Sequence, residues 1–495
     1  MMPSMLEHSI AKVSALGRSP VKLSTFALPL LTLAILSGCA AVGPDYHLPT
    51  DAAVNRPQAQ AQFEATAQTG ALAQTALPDH WWRLYQDSTL DALIEKALVN
   101  NTDLRSAQAN LERVQAQLQD ARAMAQPTIG VNAQPTFGHA SGVQALQPDA
   151  RPMDRYSYAT GATVSYAVDL FGQIRRAEEA AEGDADAAQA AVDASRVAVA
   201  AETARAYADA CSAGMQLLQA QRSVDVQAES LDVTSRLLAA GRGTRLDVTR
   251  ARAQWDQLKA ALPPFEAQRR VALYRLATLT GDVPTAFPQQ LASCTAPPRL
   301  AQAVPVGDGA ALLKRRPDIR QAERQLAAAT ARIGVATADL YPKISLGLSG
   351  ASAGPASIFG ERGTFSWSIG PLISWTLPNT GSAQARIAQA EASTRGAAAK
   401  FDGVVLNALR ETESVLTQYA RQLDRNEALD EARKDSAQAA DQAQQLFRAG
   451  KTDYLTVLDA QRTLAQNESQ LSASQAALVD QQIAIFMALG GGWTP

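Results

Sequence analysis

Apolar positions recur in steps of three and four over most of this chain, and the longest such run, from Asn379 to Thr494, contains no proline. In its second arm Val457, Leu464, Leu471, Leu478 and Ile485 return every seven residues, with Gln461, Glu468, Gln475 and Gln482 at a fixed polar offset. That is a coiled-coil pattern. The first arm carries Phe401, Val405, Ala408, Thr412, Val415, Tyr419 and Leu423 in the same rhythm. Gly450 lies between the arms, where a left-handed C-cap would end one helix and Thr452 would cap the helix that returns. The pattern predicts helix, tip and helix, with a rod roughly 100 Å long at 1.5 Å per residue.

The same layout occurs twice. Asp103-Leu104-Arg105 matches Asp318-Ile319-Arg320, and Ala107, Leu111, Ala116, Ala123, Pro127 and Ile129 match Ala322, Leu326, Ala331, Ala338, Pro342 and Ile344 at one constant spacing. Tyr156, Tyr158, Tyr166, Gly172, Leu237, Gly241, Leu246, Val248 and Ala251 then match Phe365, Trp367, Trp375, Gly381, Leu446, Gly450, Leu455, Val457 and Ala460 at a slightly shorter one. Residues are therefore missing from the second copy, between the positions that match Val131 and Tyr156, which marks an exposed loop. No proline falls between Pro152 and Pro263, so a second rod is expected from Gly172 to about Ala240, with Gly241 at its tip and Thr244 capping the return helix.

Ahead of each rod the period changes to two. Tyr156, Tyr158, Thr160, Ala162, Val164, Tyr166, Val168 and Leu170 alternate with Ser157, Ala159, Gly161, Thr163, Ser165, Ala167 and Asp169, and Phe365, Trp367, Ile369, Ile373, Trp375 and Leu377 alternate mainly with small polar residues. One aromatic-rich face and one small polar face is the pattern of a membrane β-barrel strand, with Tyr156, Tyr158, Tyr166, Phe365, Trp367 and Trp375 facing lipid. Partner strands at about 128–138 and 343–350 complete two hairpins through loops at 138–155 and 351–363. Four strands cannot close a barrel, and open edges are not tolerated in lipid, so several chains must share one. Two chains would give eight strands and a filled interior; three would give twelve and room for a pore, which the small inward residues favour.

Composition narrows the rest. Alanine supplies the largest part of the 46% hydrophobic content, and only 5% of the 495 residues are aromatic, which suits thin helical seams better than a thick core. A net charge of −3 without a basic stripe gives no reason to expect nucleic acid. The 4 histidines all fall in the first third, nothing resembles a nucleophile with its base, and Gly490-Gly491-Gly492 has no helix after it to form a phosphate loop. No metal, cofactor or enzymatic centre is expected. Cys211 and Cys294 could pair in an oxidising compartment, but one falls in mid-helix and the other in a Pro-rich loop, so inert thiols are the favoured reading. Trp81 and Trp82 read as core packing, ahead of an amphipathic helix through Leu90, Leu93, Ile94, Ala97 and Leu98.

Lys12, Arg18 and Lys22 precede an apolar run, Phe26 to Leu36, that ends in Leu36-Ser37-Gly38-Cys39. Charge, apolar run and small residues in that order make 1–38 a secretory signal, too short to remain as a membrane-spanning helix. Leu-Ser-Gly-Cys resembles the bacterial lipobox, which implies a covalent lipid on Cys39; Ala40 after it points to the outer membrane. An ordinary signal peptide with a chance cysteine is the alternative. The expected organisation is a lipidated extension at 39–78, a first repeat at 79–279 with its hairpin at 128–171 and long helices at 172–279, a linker at 280–314, a second repeat at 315–489 with its hairpin at 343–378 and long helices at 381–489, and a tail at 490–495.

Trp81-Trp82-Arg83-Leu84-Tyr85-Gln86-Asp87, Asp169-Leu170-Phe171-Gly172-Gln173-Ile174-Arg175-Arg176, Arg315-Arg316-Pro317-Asp318-Ile319-Arg320 and Tyr341-Pro342-Lys343-Ile344, together with Gly43-Pro44-Asp45-Tyr46, resemble the outer-membrane factor family, in its lipoprotein branch serving resistance-nodulation-division efflux pumps. The resemblance implies a mainly α fold with membrane β: a homotrimer with a twelve-stranded transmembrane β-barrel, a long periplasmic α-barrel, and an equatorial belt holding Asp79 to Asn100 and Thr280 to Lys314. It implies as partners a periplasmic adaptor, an inner-membrane proton-driven transporter and outer-membrane lipid. It also implies a periplasmic gate ringed by carboxylates, at the positions of Asp247 and Asp459. The repeats differ there, Asp247 aligning with Thr456 and Asp459 with Arg250, which makes Arg250 a candidate partner of Asp459. Adaptor docking would fall on the tips, at Gly241, Arg242, Arg245, Gly450, Lys451 and Tyr454. An efflux exit duct is the leading reading. A protein-secretion duct or a non-conducting trimeric spacer lipoprotein remain as alternatives.

Overall fold

A computed structural model of the chain describes residues 41–67, 69–139, 153–376 and 380–493. Cys39, the signal segment and most of the loop at 138–155 lie outside the described residues. The elements follow the repeat. The first copy has α1 (Ser88–Asn100), α2 (Thr102–Ala123), β1 (Thr128–Gly138), β2 (Arg155–Val168), α3 (Gln173–Ala239), α4 (Arg245–Ala260) and α5 (Leu262–Leu279). A short α6 (Gly309–Arg315) leads to α7 (Pro317–Ala338), β3 (Lys343–Pro355), β4 (Phe365–Ser374), α8 (Thr380–Arg448) and α9 (Tyr454–Ala488). The fold is mainly helical, and two hairpins form one antiparallel sheet in the order β1-β2-β3-β4.

The two long helices hold 67 and 69 residues, each roughly 100 Å from end to end. Their buried sides are those the spacing marked: Phe401, Val405, Ala408, Thr412 and Tyr419 in α8, and Val457, Leu471 and Ile485 in α9. The return arms differ between copies. In the second it is one 35-residue helix; in the first the helix stops at Ala260 and restarts at Leu262, with proline in the new first turn. Pro263 and Pro264 lack the N–H a continuous helix requires, and the first turn of a new helix is where that loss is harmless. β3 also runs on to Pro355, past the end expected near 350, before one-turn 3₁₀ segments at Ala356–Ile358 and Arg362–Thr364.

Midway along the rods the chain thickens into its only sizeable core among the described residues. Trp81 and Trp82 are fully buried there with Leu90, Ile94, Leu273, Leu276, Leu416, Ile483 and Phe486, and Trp81 stacks on Phe486 with ring centroids 4.6 Å apart. The segment from 280 to 314 joins through Phe287, Leu291, Val304 and Val306, and a parallel bridge ties Leu72 to Val304. The N-terminal extension hugs this girdle: Ala53 donates its amide to Asp402, and Ala52, Ala53 and Ala59 pack on Leu313, Phe401 and Val405. The glycine tail has a packing role. A Cβ on Gly491 would lie 2.7 Å from Trp81, so only glycine lets the chain end close over that ring.

One expectation is overturned. Cys211 and Cys294 form a disulfide, with S–S 2.06 Å and Cα–Cα 4.8 Å. The Pro-rich segment folds back along α3, and Gly214, one turn beyond Cys211, leaves room for the Cys294 carbonyl, which would sit 2.0 Å from a Cβ at 214. The bond closes the base of the first rod pair across a sequence separation of 83 residues. In the chain-entropy account a loop of this length is worth up to about 4.5 kcal/mol. Substituting both Cys211→Ser and Cys294→Ser is expected to lower the thermal midpoint of helix unfolding, and reductant should bring the parent protein to the same midpoint. Identical melts for all three would show that the crosslink adds nothing.

Candidate functional site

Two places carry chemistry: the four-stranded sheet at one end of the rods and the two tips at the other. The sheet's register sorts its residues onto two faces. Tyr156 lies opposite Phe137, Thr160 opposite Ala133 and Ser352, Val164 opposite Ile129 and Leu348, and Tyr166 opposite Leu346; Leu348 in turn faces Ile369 and Gly350 faces Trp367. Cross-strand partners share a face, so one surface is mainly aromatic and aliphatic, interrupted by Thr160 and Ser352. The other holds Thr128, Gly130, Asn132, Gln134 and Thr136 with Ser157, Gly161, Thr163, Ser165, Ser345, Ser349, Ser366 and Ser368. Neither face is backed by a core, since Val131, Tyr156, Phe365, Trp367, Ile369 and Ile373 on the apolar face and Asn132, Gln134, Ser366 and Ser368 on the polar one are all exposed. The 14 residues of β2 extend roughly 45 Å at 3.3 Å each, enough to cross a 30 Å hydrocarbon layer at the tilt of barrel strands.

Five of the six aromatics singled out in the sequence, Tyr156, Tyr166, Phe365, Trp367 and Trp375, are exposed. Tyr158 is the correction: only 8% of it is exposed, because Phe359 folds over its ring and its hydroxyl meets Ser352 at 2.9 Å. Trp375 lies just past β4 and donates its indole N–H to the Leu340 carbonyl.

Strand becomes helix through a dense junction. Asp169 accepts the amides of Ile174 and Arg175, capping α3, and Phe171 stacks on Tyr341 at 4.5 Å. Gln173 donates to Asp339, which also pairs with Lys343 and Arg386. Arg176 is buried and donates to the carbonyls of Val42 and Gly43 and to the carboxylates of Asp45 and Glu179, so the start of the described chain is clamped to the root of the sheet. Arg315 and Arg316 make a comparable clamp at the girdle, reaching Leu77, Asp79, Glu411 and the end of α9.

The tips are built alike. Gly241 and Gly450 both have φ +72°, and the bonds Arg242 to Leu237 and Lys451 to Leu446 close the same Schellman turn. The return helices start differently. Thr244 caps α4 in a capping box: its hydroxyl accepts the Asp247 amide while the Asp247 carboxylate accepts the Thr244 amide. In the second copy the cap is Asp453, not Thr452, and it accepts both the amide and the hydroxyl of Thr456. Threonine and aspartate have exchanged places across the same two positions. The Thr456 contacts hold the Asp453 carboxyl below the usual carboxylate range, and the charge of Arg250 adds to the shift.

Of the candidate gate residues, then, Asp247 is engaged in capping its own helix. Asp459 is exposed and pairs with Arg462 at 2.8 Å, not with Arg250, within the chain. Arg242, Arg245 and Lys451 are exposed at the tips, beside exposed Leu246 and Leu455, which occupy matching positions in the two copies. Tyr454 is not a surface residue. It is buried against Ala251, Ala443 and Val457, edge-on to Phe447, and its hydroxyl meets Ser230 at 2.9 Å; Ser230 donates to Gln461 at 3.2 Å. This node bolts α3 to α9, one rod pair to the other. Sequence reasoning missed Ser230 because a serine on a long helix carries no signal of its own. Its spacing to Tyr454 exists only in three dimensions.

Gly241→Ala and Gly450→Ala should each cost about 1 kcal/mol, since no atom obstructs the new methyl and only the left-handed backbone is penalised. Hydrogen exchange at the substituted tip is expected to rise about five-fold with the girdle unchanged; equal rates would mean that the tip is not held in that turn.

The family model described as "Outer membrane efflux protein" matches residues 93–282 and 310–491. The solvent efflux pump outer membrane protein SrpC of Pseudomonas putida is 32% identical over 487 residues, with 94% of this chain and 98% of that protein covered. Nodulation protein T of Rhizobium leguminosarum bv. trifolii is 28% identical over 480 residues, with 96% and 99% covered. A solved structure of the outer-membrane channel OprN superposes with a TM-score of 0.84 at 35% identity, over 92% of this chain and 100% of that one.

Proposed function

Because the chain belongs to the outer membrane efflux protein family and is thereby a protein of the outer membrane, we propose that three copies form the exit duct of a tripartite efflux pump. The duct is a passive channel: a shared barrel through the membrane, continued by a helical tube into the periplasm and opened at its tips by an adaptor and a proton-driven inner-membrane transporter. The observation that carries this reading is the sheet, with one apolar face, one polar face and two unpaired outer edges among the described residues. Only strands from further copies can satisfy those edges in lipid. The helices point to a neighbouring copy as well. α7 lies in the groove between α3 and α8, while α2, its repeat counterpart, packs mainly on α3, so a neighbour's α8 would complete the pattern. A spacer without a channel gives the two-faced sheet no purpose.

The relatives support a cargo class. SrpC is named for solvent efflux, and small toxic organic compounds are the cargo class proposed for this chain. A lipid on Cys39 adds an anchor to the strands. Exposed Arg242, Arg245 and Lys451, with Leu246 and Leu455 between them, are the proposed adaptor-docking surface. Asp459, free of any capping duty, is the better gate carboxylate of the two, with Arg462 as its local counter-charge and Arg250 as a partner across chains.

The mass of the detergent-solubilised particle, corrected for bound detergent, is expected to equal three chains; a stable monomer would remove the shared barrel. Tyr454→Phe deletes one buried hydrogen bond, worth about 1 kcal/mol. If the Tyr454–Ser230 node restrains the tips, single-channel recordings should show open time rising about five-fold with trimer and melt preserved. Unaltered gating would release Tyr454 from this role.

A further inference from the structure

We propose that residues 356–364, the turn between β3 and β4, form an apron resting on the outer surface of the membrane, with Phe359 seated where lipid headgroups meet acyl chains. The proposal rests on the sheet being a membrane wall, and its test separates the two.

The turn folds over the apolar face of the sheet and leaves the polar face open. Phe359 packs on Tyr158 with ring centroids 4.7 Å apart, and a Cβ on Gly354 would lie 3.5 Å from Ile358. Tyr158 and Gly354 are direct cross-strand partners on the aromatic face, so the turn covers one defined spot of it. Beneath lies a chain of hydroxyls. Tyr158 meets Ser352 at 2.9 Å, Ser352 meets Thr364 at 2.9 Å, and Thr364 donates to the Glu361 carbonyl at 2.8 Å. Polar groups on a surface that faces lipid must be satisfied within the protein. Here the turn supplies the last acceptor, which explains why it is pinned to this face.

Phe359 itself stays 68% exposed, at the same strand ends as exposed Phe137, Tyr156 and Phe365. It therefore extends the sheet's aromatic band outward, at the level where amphipathic rings concentrate in membrane proteins. Gly360, with φ +81°, reverses the backbone immediately after it, and exposed Glu361 and Arg362 follow, where they can meet polar headgroups. An apolar ring turned toward the membrane with charges directly behind it fits an amphiphilic lipid surface as its partner.

Cys211 and Cys294 occupy each other, so in the lipidated, full-length protein an introduced thiol can carry a spin label specifically. Labels placed through Phe359→Cys, Trp367→Cys on the apolar face and Ser368→Cys on the polar face would be compared in phospholipid vesicles for relaxation by dissolved oxygen and by a water-soluble nickel chelate. The label at 359 is expected to respond to oxygen and be shielded from nickel, like that at 367 and unlike that at 368. Adding Ser352→Ala, which cuts the hydroxyl chain, should shift the 359 label toward nickel. A label at 359 as open to nickel as that at 368, with 367 still shielded, overturns the apron and leaves the membrane wall standing. Nickel access at 367 as well would overturn both.

Discussion

The structure depends on the unsatisfied edges of its sheet. The outer sides of β1 and β4 present backbone N–H and C=O groups with no partner among the described residues, on a sheet that has no core behind either face. In hydrocarbon each such group costs several kcal/mol, which no side-chain arrangement on the faces can offset. Closure with other copies is the one remedy, and closure fixes the rest. Every strand end becomes a point on a ring, each strand that continues into a helix carries that ring into the rods, and the helices must pack side by side as a tube wall. Alanine then becomes the natural residue, since a wall one helix thick needs close helix contacts and has no interior for large side chains to fill.

Between ring and tube stands the junction at Phe171, Tyr341, Asp169, Asp339 and Arg176. Arg176 is nearly inaccessible yet binds two backbone carbonyls and two carboxylates, an arrangement in which losing both carboxylates would strand a buried charge. Such a node resists rotation of the helices against the strands. The girdle, with its disulfide, its Trp81–Phe486 stack and its arginine clamps, does the same midway. Motion is thereby left to the far half of the rods, where few large side chains are buried and the two rod pairs meet through the small cluster around Tyr454.

How much of this was legible in the sequence follows from whether a feature is local or periodic. Heptads, alternation and the two tip glycines each repeat at a fixed spacing, so the rods, strands and tip turns could be read directly. The alternation also gave the faces, which the register then sorted residue by residue. What escaped depends on contacts between distant segments. The Cys211–Cys294 bond needs the linker folded onto α3; Tyr158 is covered by a turn that follows the neighbouring strand, far on in the chain; Tyr454, close to exposed Lys451, is buried between its own rod pair and the other. The break before Leu262 was not anticipated, since Pro263 entered only as the limit of a proline-free run; a helix restarting at Leu262 takes both prolines into its first turn.

The exchanged caps bear on what a gate at the tips can use. Sequence matching sets Asp247 against Thr456, which looks like loss of an acidic position in one repeat; the structure shows that Asp453 has taken over the acid and Thr456 the hydroxyl, so both return helices keep one carboxylate at their first turn. Both carboxylates accept backbone amides, and an amide-bonded carboxylate at a helix N-terminus is stabilised where it stands. It is poorly placed to swing into a pore. Asp459 lies beyond the first turn, has no equivalent in the other repeat, since Arg250 occupies that position, and its side chain is held among the described residues by an exposed pair with Arg462. An exposed pair of that kind is worth about 0.2–1 kcal/mol, weak enough to be exchanged for another partner. The gate proposed above would use contacts of that strength, so the asymmetry between the repeats lies where a reversible latch would sit, while the two exchanged caps keep both tips folded.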